Sequence, residues 1–507
     1  MSSEKEILLS ATNKANKREL SFEEAKDIVS KYPQSHRAHS LLAFLYLQKR
    51  EFEKVIEQIK ESLKYGKSVT AFNLSAQANI KLKNNEAAKA DYLSALELDA
   101  NDYMTMLNYA VFQGHMGEFE ESIKTMRRLT LQKPNDLTLK VKLVTMYLTT
   151  SDFEGAANFL EDVTKEFPNE YIFQHMLGNA YYQSDRKEEA VECFKNAIKI
   201  KPDAVKSYFN LAHYYYENED YSQTSPLLEK AMEIDPEWRA PYIQMCFVYY
   251  KQNNLSYLKE FISKNEDRLK TSVEVAAISE LVAVQEGEKT IHPYCSEPLN
   301  YITEFHIKDY VKDHEVFMDK LKKEIDNHEF HEGYAPQSGK SLINGKQTIG
   351  NIFLRQGELL NELREFFLKA VDDYKKKHKS SDNLVMKGFP KDIKLFGWST
   401  KFDKGSGNHF SHLHPTGWIS GSFYLNVPND IKSHEANIQF DVQGQLPLFN
   451  DKIKIETKNI MPEAGKLIIF PSSLFHCTTP FSSKESYRHA LNFDLVSPYV
   501  AKTDIGI

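Results

Sequence analysis

Two hydrophobic rhythms divide the chain. Over roughly residues 20 to 270, apolar and small positions return with a long fixed period. Pro134, Pro168, Pro202 and Pro236 stand 34 residues apart, and Ala100 holds the same phase. Pro33 and Gly66 extend the series upstream with a one-residue slip. The unit from Pro168 to Pro202 is the most complete, with Leu177-Gly178, Tyr181, Ala190, Phe194 and Ala197. Its successor carries Leu211-Ala212, Tyr215 and Ala231, and its predecessor Leu143, Tyr147 and Ala156. Such a unit predicts two antiparallel helices. Small residues sit where the helices approach, large ones fill the gaps between units, and proline ends the second helix. Six units are expected, with a degenerate seventh around Tyr242 to Tyr249 and a helical cap from Ser256 to Glu286.

The long period fades by about Ser279, and the proline-rich, polar stretch from Lys289 to Asn300 reads as a boundary. Two domains are therefore expected, 1–290 and 291–507. Helical spacing returns over Val311 to Asp326 and over Glu358 to His378, separated by a glycine-dotted loop from Gly333 to Arg355. Then the pattern shortens to strands: Ile393 to Phe402, Trp418 to Val427, Ala436 to Val442, Ile453 to Lys458, Lys466 to Phe470, Leu474 to Cys477 and Arg488 to Val496. Many short strands preceded by helices predict a double-stranded β-helix, or jelly roll, with flanking helices. The fold class is α + β multidomain: an N-terminal α-solenoid followed by that barrel.

Composition narrows the function only by exclusion. A net charge of −7 over 507 residues, with dispersed lysines and arginines, gives no electrostatic reason to expect nucleic acid or an anionic membrane. The first ten residues lack the apolar run of a signal peptide, and no stretch is long and apolar enough to span a bilayer. Cys193, Cys246, Cys295 and Cys477 form no paired motif and read as free thiols, so a cytoplasmic location is expected.

The chemistry gathers near the C-terminus. His412 and His414 are two apart before the apolar run Phe423-Tyr424-Leu425; in a strand their imidazoles would share one face and could bind one metal ion. His476 follows an apolar strand and a Pro-Ser turn, which places it near a core. Strand alternation turns Cys477 to the opposite face. Arg488 opens a strand in which residues 488, 490, 492 and 494 share a face, so Arg488 and Asn492 point the same way. A guanidinium facing inward needs a carboxylate, and its planar fork suits one bidentately. Tyr424, Ser472 and Asn492 are candidate hydrogen-bonding groups, and Trp398 a candidate pocket wall.

The repeat pattern resembles the tetratricopeptide repeat family over roughly residues 20 to 270. The order His412-Leu-His414-Pro, His476, Arg488, with Gln347-Thr348, Asn351, Trp398, Ser420-Gly421-Ser-Phe-Tyr424, Glu463-Ala-Gly465 and Phe470-Pro471-Ser472, resembles the 2-oxoglutarate- and Fe(II)-dependent oxygenases. That resemblance implies Fe(II) as cofactor, held by His412, His414 and His476. It implies 2-oxoglutarate as co-substrate, held by Arg488, Asn492 and Tyr424, and hydroxylation of a C–H bond coupled to decarboxylation. The array implies a protein or peptide partner, or self-association. One position departs from the family: His414 stands where a carboxylate is usual. His414 as third ligand, His414 behind the metal with water in its place, and a carboxylate from Glu435 or Asp441 are all open on sequence alone. So are two other functions: a repeat scaffold with a catalytically silent barrel, and a three-histidine dioxygenase acting on a thiol without 2-oxoglutarate.

Overall fold

The computed structural model describes residues 4–328, 330–332, 342–348, 350–355, 357–402, 407–450, 452–484 and 486–496. They form two compact units, Met1–Asp162 and Val163–Ile507. The part of the expected loop at 333–341 lies outside the described residues, as does the end of the chain beyond 496.

The first unit is helical. His36–Gln48 packs against Phe52–Tyr65, Val69–Lys81 against Asn85–Leu98, and Tyr103–His115 against Phe119–Gln132. Sequence sets the helix starts: Ser68, Asp102 and Asp136 each accept a hydrogen bond from the backbone N–H three residues on. In the second unit Tyr171–Gln183 pairs with Lys187–Ile200, and Val205–Glu217 with Tyr221–Ile234. The expected small positions are required: a Cβ on Gly178 would lie 2.6 Å from the Phe194 ring, and Ala190 and Ala197 are fully buried. The seventh unit is a complete helix pair, Ala240–Lys251 with Leu255–Lys264, and the cap is Val273–Glu286. Between the two helices of each repeat one residue adopts a left-handed backbone: Arg50, Lys83, Gly117 and Ser151 in the first unit, Asp185, Glu219 and Asn253 in the second.

The β-region of the second unit contains β1 (Thr303–His306), β2 (Phe330–Glu332), β3 (Leu342–Ile343), β4 (Gly345–Thr348), β5 (Lys394–Phe402), β6 (Asn408–His409), β7 (Gly417–Asn426), β8 (Ile438–Asp441), β9 (Lys458–Ile460), β10 (Lys466–Pro471), β11 (Phe475–Thr478) and β12 (Arg488–Val496). The large sheet runs β1-β10-β7-β12-β5-β4-β2, and a smaller one runs β11-β8-β9, every pair antiparallel. Two-residue alternation on β12 separates the cores. Leu491, Phe493 and Leu495 face the helices His314–Asp326 and Glu358–Lys377, where Leu321, Ile325, Phe366, Phe367 and Ala370 meet them. On the other face Ala490, with Tyr424, Ile468 and Phe470, packs on Ile438, Phe440 and Ile460 of the small sheet. That second face is the inside of the barrel.

Three expectations need correction. The strand expected over Ile453 to Lys458 is Lys458–Ile460, because Ile455 packs among the array helices and the barrel instead of joining a ladder. β4 falls inside the expected loop from Gly333 to Arg355, and β1 in a stretch for which no element is expected, yet each pairs at or near a sheet edge. His412 and His414 lie before β7, not in a strand. His412 exchanges both backbone hydrogen bonds with His476 as a single bridge, at 3.0 and 2.9 Å, and the His414 N–H reaches Ser472 O at 3.3 Å.

The array helices of this unit are joined to the barrel. Tyr250 Oη donates to Pro447 O at 2.6 Å, and Phe449 N–H donates to Gln285 Oε1 at 2.8 Å. Leu446, Leu448 and Ile455 pack on Tyr242, Tyr250 and Leu281 of the array helices. Tyr294 Oη donates to Trp418 O, and the Trp418 indole donates to Val385 O at 2.8 Å.

Candidate metal centre

The loop before β7 and the start of β11 bring three histidines together. One ring nitrogen from each of His412, His414 and His476 lies within 4.8 Å of the others. Ring centroids are 5.3 Å apart for His412–His414, 4.4 Å for His412–His476 and 4.9 Å for His414–His476. Among the described residues this is the one grouping of three or more histidine, cysteine or acidic side chains close enough to share an ion.

Each ring is fixed from behind. His412 Nδ1 lies 2.7 Å from Phe410 O, His476 Nδ1 3.2 Å from Leu474 O, and His414 Nδ1 2.7 Å from Asp494 Oδ1. A carbonyl or carboxylate oxygen only accepts, so Nδ1 carries the proton in all three rings. The lone pair is then left on Nε2, which is the state a metal ligand must have. Electrostatics agree for two of them. Burial, then repulsion from His414, brings His412 down to about 3, and burial holds His476 well below the ordinary imidazole value. Both are neutral at physiological pH.

The rest of the pocket lies on the inner faces of β5, β7 and β12. Its cavity is small, about 30 Å³. Trp398, Thr400, His409, Ser422, Arg488 and Asn492 line it with the three histidines. Arg488 is 3 % exposed, so the inward orientation is observed rather than a solvated one. Its guanidinium lies 5.1 Å from the Tyr424 ring centroid and 5.6 Å from that of Phe402. No acidic side chain among the described residues pairs with it, and its polar neighbour is the buried Tyr424 hydroxyl. Burial pulls Arg488 below its usual value and pushes Tyr424 up. A buried guanidinium facing a pocket without a counter-charge can receive an anionic group.

The remaining sequence candidates sort by position. Asn492 lines the pocket and is oriented by its neighbours: it donates to Thr400 Oγ1 at 3.0 Å and accepts from Ser422 Oγ at 2.8 Å. Trp398 walls the site, 5.4 Å from the His414 ring. Ser472 does not face the ligand space; it bonds Ser420 Oγ at 2.7 Å behind His414. Glu435 is turned to Lys432 N, and Asp441 accepts from Gln443 N and Gly444 N, so neither joins the histidines. Sequence reading missed His409, whose ring centroid is 5.3 Å from that of His412, and Asp494. Asp494 shares the β12 face that carries Arg488 and Asn492, but nothing in the strand pattern couples it to His414.

A helical repeat array and an antiparallel barrel holding a three-histidine pocket define the class. Residues 397–494 match the family described as "Putative 2OG-Fe(II) oxygenase". Residues 178–219 match "TPR repeat", and 69–102 and 205–237 match "Tetratricopeptide repeat". The chain thus carries tetratricopeptide repeats in its N-terminal half and a domain of this oxygenase family in its C-terminal part. That family implies Fe(II) and 2-oxoglutarate. A 91-residue stretch is 32% identical to sperm-associated antigen 1 of Rattus norvegicus, covering 18% of this chain and 10% of that protein. Among solved structures the chain is similar to MamA 41-end from Desulfovibrio magneticus RS-1, with 17% identity, TM-score 0.30, and coverage of 34% of this chain and 97% of that one. It is also similar to the C-terminal part of a TPR repeat-containing protein from Cytophaga hutchinsonii, with 15% identity, TM-score 0.41, and coverage of 46% and 96%. No helix among the described residues is long and apolar enough to cross a membrane.

Proposed function

We propose that the protein is an Fe(II)- and 2-oxoglutarate-dependent dioxygenase that hydroxylates its substrate, with residues 291–507 as the catalytic domain and residues 1–290 as an array that binds a protein or peptide. One observation carries this reading: three imidazoles with Nε2 freed and a buried guanidinium with no acidic partner among the described residues share one pocket. The donor set fits the group, since neutral imidazoles suit Fe(II) and a guanidinium suits a carboxylate. His412, His414 and His476 hold the metal. Arg488, with the Tyr424 hydroxyl beside it, binds the distal carboxylate of the co-substrate, and Asn492 is held in place by Thr400 and Ser422 to orient it. Trp398 and the buried barrel face exclude water. When bound, Fe(II) and 2-oxoglutarate supply the oxidative decarboxylation that drives C–H hydroxylation. The test is aerobic incubation with both, following succinate. Succinate above a His476→Ala control, raised further by a bound peptide, is expected. No succinate above that control, with candidate peptides or cell extract present, favours a scaffold with a silent barrel.

A further inference from the structure

The three-imidazole set has no negative ligand, yet a carboxylate stands directly behind it. Asp494 is 1 % exposed and its Oδ1 accepts from His414 Nδ1 and from Ser420 Oγ, each at 2.7 Å. Ser420 Oγ also lies 3.0 Å from His414 Nδ1 and 2.7 Å from Ser472 Oγ. The other carboxylate oxygen, Oδ2, is buried with no hydrogen-bond partner. The chain makes room for this arrangement. A Cβ on Gly417 would lie 2.4 Å from Ser472 Oγ and 3.2 Å from the Asp494 carboxylate. A half-satisfied acid in a barrel interior is unfavourable unless positive charge is close. No lysine or arginine among the described residues pairs with it, and His414 is its charged partner only when protonated.

We propose that Asp494 is a positioning residue for the metal, supplying from behind His414 the negative charge that the His-x-His pair lacks. The proposal rests on the three-histidine reading above. The carboxylate locks the His414 tautomer and ring plane, makes Nε2 a stronger donor, and partly neutralises a bound divalent cation. The acid thus stands on β12 behind His414 rather than at the ligand position itself. This accounts for His414, Ser420, Ser472 and Gly417 together, which packing alone does not.

The test uses the full chain and Co(II) under anaerobic conditions, titrated by visible absorption, with thermal melting of each metal-free variant. Wild type is expected to bind one Co(II) and His476→Ala to bind far more weakly. Asp494→Asn keeps the shape but not the charge, and is expected to weaken Co(II) about 10- to 100-fold and to alter its absorption bands. Ser420→Ala keeps the carboxylate and loses one orienting contact, so a smaller loss of a few-fold is expected. Should Asp494→Asn fail to fold, the Ser420→Ala titration decides, and an unchanged affinity there overturns the proposal. Asp494→Asn within two-fold of wild type, with unchanged bands, makes Asp494 structural only and leaves the metal site standing. Wild type that binds no better than His476→Ala overturns the metal site, and this proposal with it.

Discussion

Arg488 brings a positive charge into a pocket where two aromatic rings flank it and no acidic side chain among the described residues meets it. Its placement follows from alternation on β12, which puts Arg488 and Asn492 inward and Leu491 and Phe493 outward against the helices. Arg488→Ala is therefore expected to weaken 2-oxoglutarate binding about 100-fold or more, roughly 3 kcal/mol for a desolvated charge-assisted pair, with metal affinity unchanged. Calorimetry of the metal-loaded protein checks this, and equal binding by the variant would remove Arg488 from the site. At this scale much of the site was legible: His412, His476, Arg488 and Asn492 line one pocket as their order and alternation implied. Asp494 was not recognised, because its meaning depends on a loop laying His414 over it. That contact spans 80 residues and leaves no periodic trace in either segment.

The elements that the sequence announced are those with a full period behind them. β5, β7, β10 and β12 are long or alternate cleanly, and each falls within a residue or so of its expected span. β1 and β4 have four residues each, with polar positions, so their strand character comes from pairing with β10 and β5. The repeat turn shows what the pattern hides. Each repeat needs a left-handed residue between its helices, yet glycine fills it once, at Gly117, and lysine stands there at Lys83 with φ +62. A side chain in that region costs about 1 kcal/mol or more, offset in part by the extra freedom of glycine when unfolded. Lys83→Gly is expected to stabilise the first unit by about 0.5 to 1 kcal/mol in denaturant melts. A loss of stability would show that the lysine makes a contact worth more than the backbone strain.

The second unit buries neutral histidines far from the pocket as well as in it. His175, beside Ser207 Oγ at 3.0 Å, and His292, donating to Leu269 O at 2.9 Å, are both pulled down to about 4 by burial. The unfolded chain takes up these protons near the ordinary value of 6.5, while the folded one does not until about 4. The unfolded state thus binds more protons in between, and stability falls as pH drops through that window, by about 1.4 kcal/mol per pH unit for each histidine. Melting of the metal-free protein is expected to fall steadily from pH 7 to 5, before most carboxylates titrate. A flat profile would contradict it. The joining of array helices to barrel through Tyr250 and Pro447 belongs to this scale too, and nothing local in either segment signals it.

Whether one ion sits among His412, His414 and His476 is decided by anomalous diffraction at the iron edge from anaerobic crystals grown with Fe(II). A single peak bonded to Nε2 of all three rings is expected, with Nδ1 of His414 still on Asp494. A peak that leaves His414 Nε2 unbound, or no peak in this pocket, would contradict it.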